Sequence, residues 1–186
     1  MKMTTLCDVP PFGESGFLNG PAGTKWPCLR LGPHVCILPL YRKRRIFRGP
    51  EIYVGLLQEY KEIIDNTRLK IPSDFLRDRP HNMETAMEIL AAKTGITYGN
   101  ILCFARLDQK LIPGWPPNVV LNNTKIWLVW AKKPTGKNVV WLSMKELWKM
   151  LRLLETPFID APTDHMLRWI EAIVHHKETL PQEPWS

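Results

Sequence analysis

The sequence predicts an α+β fold: a single domain spanning residues 34–178, with amphipathic helices packed on a small, mostly antiparallel sheet. Three observations lead there. Short apolar runs rich in β-branched and aromatic residues, bounded by turn formers, recur at 34–40, 100–108, 125–131 and 138–142. Between and after them lie stretches with apolar residues at three- and four-residue spacing, several with capping residues at their starts. Ahead of both, residues 1–33 carry Pro10, Pro11, Gly13, Gly16, Gly20, Pro21, Gly23, Pro27, Gly32 and Pro33, which break periodic elements. That segment reads as a flexible N-terminal arm, and residues 179–186, with two prolines, as a tail.

Taken in order, His34–Leu40 reads as a strand that lies at a sheet edge or ends at Pro39, because proline cannot donate to a ladder. Pro50 and Glu51 then suit a helix start, and Ile52, Leu56, Tyr60, Ile63 and Ile64 form a stripe at helical spacing, so the expectation is a helix from 50 to about 64. Ser73 is expected to cap a single turn. Asn82 caps a second helix running from Met83 to Thr94 and stopped by Gly95, with Met83, Ala86, Met87 and Leu90 inward. Residues 100–108 read as a buried strand. In 125–131, Ile126, Leu128 and Trp130 face one side, and Trp127 and Val129 the other. Residues 132–137 read as a hairpin loop returning into a partner strand at 138–142. Ser143 and Glu146 make a capping box for a third helix with Leu147, Trp148, Leu151 and Leu154 inward. A last helix starts near Thr163, with Leu167 and Ile170 on its apolar face.

Charge is the least evenly distributed property. The octapeptide Tyr41–Arg48 contains Arg42, Lys43, Arg44, Arg45 and Arg48 and no acid, so it supplies five units of the formal net charge of +7. Burial of that many like charges is forbidden by desolvation, so the run must face solvent or a polyanion. Lys132, Lys133 and Lys137 form a second basic group. Arginine suits bidentate phosphate contacts, and Tyr41 or Phe47 is placed to stack on a base. The partners this chemistry fits are nucleic acid or an acidic protein surface, a nuclear-import receptor, or an anionic membrane surface.

Other chemistries have weaker signatures. Cys28, His34 and Cys36 lie close in sequence, yet no pair of cysteines has the two-residue spacing on which structural zinc sites lean, so no metal or other cofactor is expected. No glycine-rich phosphate loop is present. The enzymatic alternative is a nuclease or other hydrolase using acids and histidines of the last helix, where Glu171 with His175 and Asp164 with Arg168 are four residues apart; His165 and His176 lie nearby. A third alternative is an adaptor that docks partners through Trp115, in the rigid Pro113–Pro117 turn, and Trp185.

The N-terminus lacks an apolar leader and no stretch reaches membrane-spanning length, so the expected compartment is cytoplasm or nucleus with reduced thiols. In general build (small size, arm, clustered charge) the chain is similar to viral structural or accessory proteins. Val9-Pro10-Pro11-Phe12 resembles the proline-rich late-domain motifs of viral matrix proteins, with Gly13 where those motifs carry tyrosine. The resulting expectation is a non-enzymatic interaction or assembly protein that engages a polyanion through residues 42–48.

Overall fold

The computed structural model describes residues 3–9, 13–19, 23–44, 50–61, 66–107, 119–121, 124–153, 158–159, 163, 166–168, 170 and 171. The fold is α+β. Strands β1 (Met3–Val9), β2 (Gly13–Asn19) and β3 (Lys25–Leu31) form an antiparallel meander, joined in parallel at β3 by β9 (Val119–Leu121). Within the segment expected to be an arm, the described residues thus include paired strands. Gly13, Gly16 and Pro27 lie within these strands, whose backbone pairing does not depend on apolar periodicity.

Among the described residues the main sheet has eight strands and is not small. It contains β4 (His34–Lys43), β5 (Glu51–Lys61), β6 (Asn66–Lys70), β7 (Ser73–Phe75), β8 (Ile101–Leu107), β10 (Thr124–Ala131), β11 (Val139–Ser143) and β12 (Phe158–Ile159). Its path runs β12-β6-β5-β4-β10-β8, with β11 on β5 and β7 on β4. Most pairs are antiparallel, but β10 with β4 and β12 with β6 are parallel.

Helices cover both faces. On one, α1 (Met83–Thr94) packs Ala86, Met87, Ile89 and Leu90 against Val35, Ile37, Trp127 and Val129. On the other, α2 (Met144–Leu153) and the last helical segment bring Met144, Leu147, Met166, Leu167 and Ile170 onto Leu38, Leu40, Val54, Leu128 and Trp130. This is why β10 is apolar on both faces, split between Ile126, Leu128 and Trp130 on one core and Trp127 and Val129 on the other.

The caps form where the sequence places them. The Asn82 side chain accepts the Thr85 N–H at 2.9 Å, and Gly95 closes α1 at φ 72°, where a non-glycine residue would be strained. Met83, expected inward, is instead 44% exposed, because it sits in the first turn beyond the sheet. At α2 the Glu146 N–H donates to Ser143 Oγ at 3.2 Å and the Ser143 N–H to Glu146 Oε2 at 2.8 Å. These contacts, the Ser143 side chain first, hold the Glu146 carboxyl below its ordinary value against a weaker opposing effect of burial. Ser143→Ala is expected to cost about 1 kcal/mol in urea unfolding at neutral pH.

Expectations at four places in the sheet are corrected, the first of them covering two segments. Residues 51–61 are a strand, not a helix. Ile52, Leu56 and Tyr60 are spaced by four, which fits one helix face and equally one strand face, and the run Ile52-Tyr53-Val54 favours the strand. The same holds on a smaller scale for Ser73–Phe75, a strand rather than a capped turn.

Pro39 lies in an inner strand. The Ile37 N–H donates to Pro72 O at 2.8 Å, so alternate residues put the Pro39 nitrogen on the same edge of β4. On that edge the sheet forks: β5 pairs with β4 only at Glu51–Val54, then turns to β6 from Leu57 onward, while β7 takes β4 at His34–Cys36. Pro39 stands at the fork, where no ladder bond is required. Gly55 stands across from it; a Cβ there would lie 3.2 Å from Pro39 Cβ and 3.1 Å from the Trp141 ring.

Third, β11 pairs with β5, not with β10, whose two edges are already taken by β4 and β8. Residues 132–138 therefore cross the sheet rather than turning back as a hairpin. Trp141 Nε1 donates to Thr135 O at 2.8 Å, Lys137 N–H to Thr94 O at 2.6 Å, and Gln58 N–H to Asn138 O at 3.0 Å, fixing the crossing. Fourth, β8 ends the sheet path rather than lying inside it, and Leu102 and Arg106 are exposed.

Candidate polyanion-binding cleft

A parallel pair of strands ends on one side. Because Trp130 of β10 lies beside Leu40 of β4, the residues that follow each, Tyr41–Arg44 and Ala131–Lys132, extend from the same end of the parallel pair, with Tyr41–Lys43 still paired to β5. β8 runs antiparallel to β10, with Ile101 opposite Ala131, so its first residues reach the same edge. The result is a cleft of about 470 Å³ lined by Tyr41, Arg42 and Lys43 from β4, Arg44 just after it, Leu102 from β8, and Ala131 and Lys132 at the end of β10. Among the described residues, four of the seven that line it are cations and none is an acid.

Each wall has a local cause. Lys132 is held from both ends: its N–H donates to Asn100 O at 2.8 Å and its Nζ to Gly99 O at 2.9 Å. Tyr41 is half-buried, its ring 6.0 Å from that of Tyr53 and edge-on to Trp141 at 6.5 Å, which fixes the ring plane. Glu51 lies directly across the ladder from Lys43 and accepts a hydrogen bond from the Tyr53 hydroxyl at 3.0 Å.

Leu102 owes its place to an irregularity. Trp130 pairs with Cys103 and Ala131 with Ile101, so Leu102 is an extra residue in the ladder, a bulge. It is 44% exposed, a large apolar side chain presented among cations. Nothing in the sequence marks it, since the bulge depends on register with a strand far away in the chain.

Of the residues expected to bind a polyanion, Arg42 is half-buried, Lys43 and Arg44 are exposed, and all three line the cleft with Lys132. Arg45, Phe47 and Arg48 lie outside the described residues, as do Trp115, Trp185 and the histidines of the last helix. Lys133 is exposed but does not line the cleft. Lys137 is removed to the C-terminal end of α1, where its side chain lies near Gly95. The second basic group is thus split, with only Lys132 joining the first. No helix starts at Pro50, so no helix dipole adds to the field of the run.

Other constellations resolve differently. Cys36 is buried, with its Sγ 3.4 Å from His34 Nδ1, and among the described residues no group of three His, Cys, Asp or Glu is placed to hold a metal ion. Burial pushes the Cys103 thiol up, away from a reactive thiolate. Of the acid–base pairs in the last helix, only Arg168 and Glu171 are described. Among the described residues no helix is long and apolar enough to cross a membrane.

His81 precedes α1, and its Nε2 is buried without a protein hydrogen-bond partner. Burial first, then the charges of Lys125 and Arg106, push the imidazole below its ordinary 6.5. A group depressed on folding is neutral in the native state and takes up its proton more readily in the unfolded one. The stability tied to His81 is therefore complete above pH 6.5 and declines as pH falls below it. Urea midpoints measured from pH 8 to pH 5 are expected to drop across that window, and His81→Gln to drop less.

No family model matches the chain and no characterised protein matches it, so the functional conclusion comes from the cleft itself.

Proposed function

We propose that the chain is a non-enzymatic interaction protein that binds nucleic acid through the cleft at the shared end of β4 and β10. The observation that carries this is the convergence of Arg42, Lys43, Arg44 and Lys132, from segments far apart in sequence, on one cleft with no acid among its described lining residues. Like charges brought together repel. A phosphate-bearing ligand is the chemistry that several arginines and lysines brought to one place suit.

The test is binding of labelled nucleic acid to the full chain across a salt series. With four cations engaged, the logarithm of the association constant should fall with the logarithm of salt at a slope of about −3 to −4. Salt-independent binding, or a slope near zero, refutes the reading. Loss of the labelled nucleic acid only in the presence of divalent cations would point to the hydrolase instead.

A further inference from the structure

We infer that the polyanion is single-stranded and that the cleft takes one unstacked base together with its flanking phosphates. This rests on the nucleic-acid reading above and specifies the form of its ligand. Phosphate recognition alone accounts for Arg42, Lys43, Arg44 and Lys132. It does not account for the other walls. Tyr41 contributes an aromatic ring held in plane by Tyr53 and Trp141. The bulge turns Leu102 outward, where 44% of it meets solvent. Ala131 adds a third apolar lining residue.

Apolar lining residues beside cations match a ligand that is itself apolar and planar beside anionic groups. A nucleotide has that composition, and a volume of about 470 Å³ lies in the range that accommodates one. A duplex cannot use the wall. Its bases are stacked and paired inside, and it presents phosphates on a convex rod. Only a base that has left its stack reaches Leu102 and Tyr41, which is the way proteins hold single strands. Lys132 fits the same ligand: one of its three ammonium donors is committed to Gly99 O, and the other two remain for a phosphate or a base edge.

The experiment compares three probes by anisotropy or co-sedimentation with the full chain at one salt concentration: a short unstructured oligouridine, its duplex with oligoadenosine, and vesicles containing phosphatidylserine. The single strand is expected to bind about tenfold tighter than the duplex. Leu102→Ala should weaken the single strand about fivefold and leave the duplex unchanged, while Leu102→Tyr should tighten it, a gain that misfolding cannot mimic. Equal affinity for single strand and duplex, with neither Leu102 variant changing either, overturns this inference and leaves the phosphate reading standing. Binding to vesicles but to neither nucleic acid, or to no probe, overturns both.

Discussion

Reversing two charges of the cleft, Arg44→Glu with Lys132→Glu, is expected to weaken nucleic-acid binding about a hundredfold at low salt and to flatten its salt dependence. The paired control is Lys133→Glu with Lys137→Glu. It changes the net charge by the same amount, yet Lys133 does not line the cleft and Lys137 lies at the end of α1. That control should lose about threefold or less, since charges away from the contact act only through a screened field. If net charge alone governed binding, the two doubles would fall together. Arg44 and Lys132 are exposed, so both doubles should keep their thermal midpoints within a few degrees of the parent. Lys132 and Lys133 are neighbours in sequence, which makes the comparison a test of the fold as well as of the charge.

The second large effect is on stability. Trp130 is fully buried, with Leu40 beside it on β4 and Cys103 on β8, in the core that α2 and the last helical segment cover. Trp130→Ala should cost about 4 kcal/mol by urea unfolding followed by circular dichroism. For a domain with an ordinary margin of about 5–15 kcal/mol, that removes a large part of it. Trp130→Phe keeps an aromatic ring there and should lose about half as much. A cost below about 1 kcal/mol for the alanine variant would show that the site collapses freely and that this layer is not packed as described.

What the sequence disclosed follows the range over which each interaction acts. Asn82, Gly95, Ser143 and Glu146 cap their helices through bonds spanning a few residues, and the pattern of those residues sufficed to place α1 and α2. The two faces of β10 were legible because alternation is local too. β5 was not, because a stripe spaced by four satisfies a helix and a strand alike, and β4, β6 and β11 decide between them by pairing. Pro39 was misplaced for a related reason. The rule that proline marks an edge holds per ladder bond, and the fork removes that one bond from an inner strand. For the cleft, the cluster Arg42–Arg44 was plain in the sequence. The inclusion of Lys132, the exclusion of Lys137 and the outward turn of Leu102 all depend on strand order and register, which no local pattern encodes.

The parallel pairing of β4 with β10 also bears on how the molecule is assembled in time. Strands that pair across a long stretch of chain form slowly, because the loop between them must be closed before their contacts reward it. Since one wall of the cleft belongs to each of these strands, binding competence should arrive late in folding, after the local helices. A nascent chain that has emerged only as far as α1 carries the arginines but no cleft, and a peptide copying residues 41–48 should reproduce the charge and the salt dependence without the preference for a single strand.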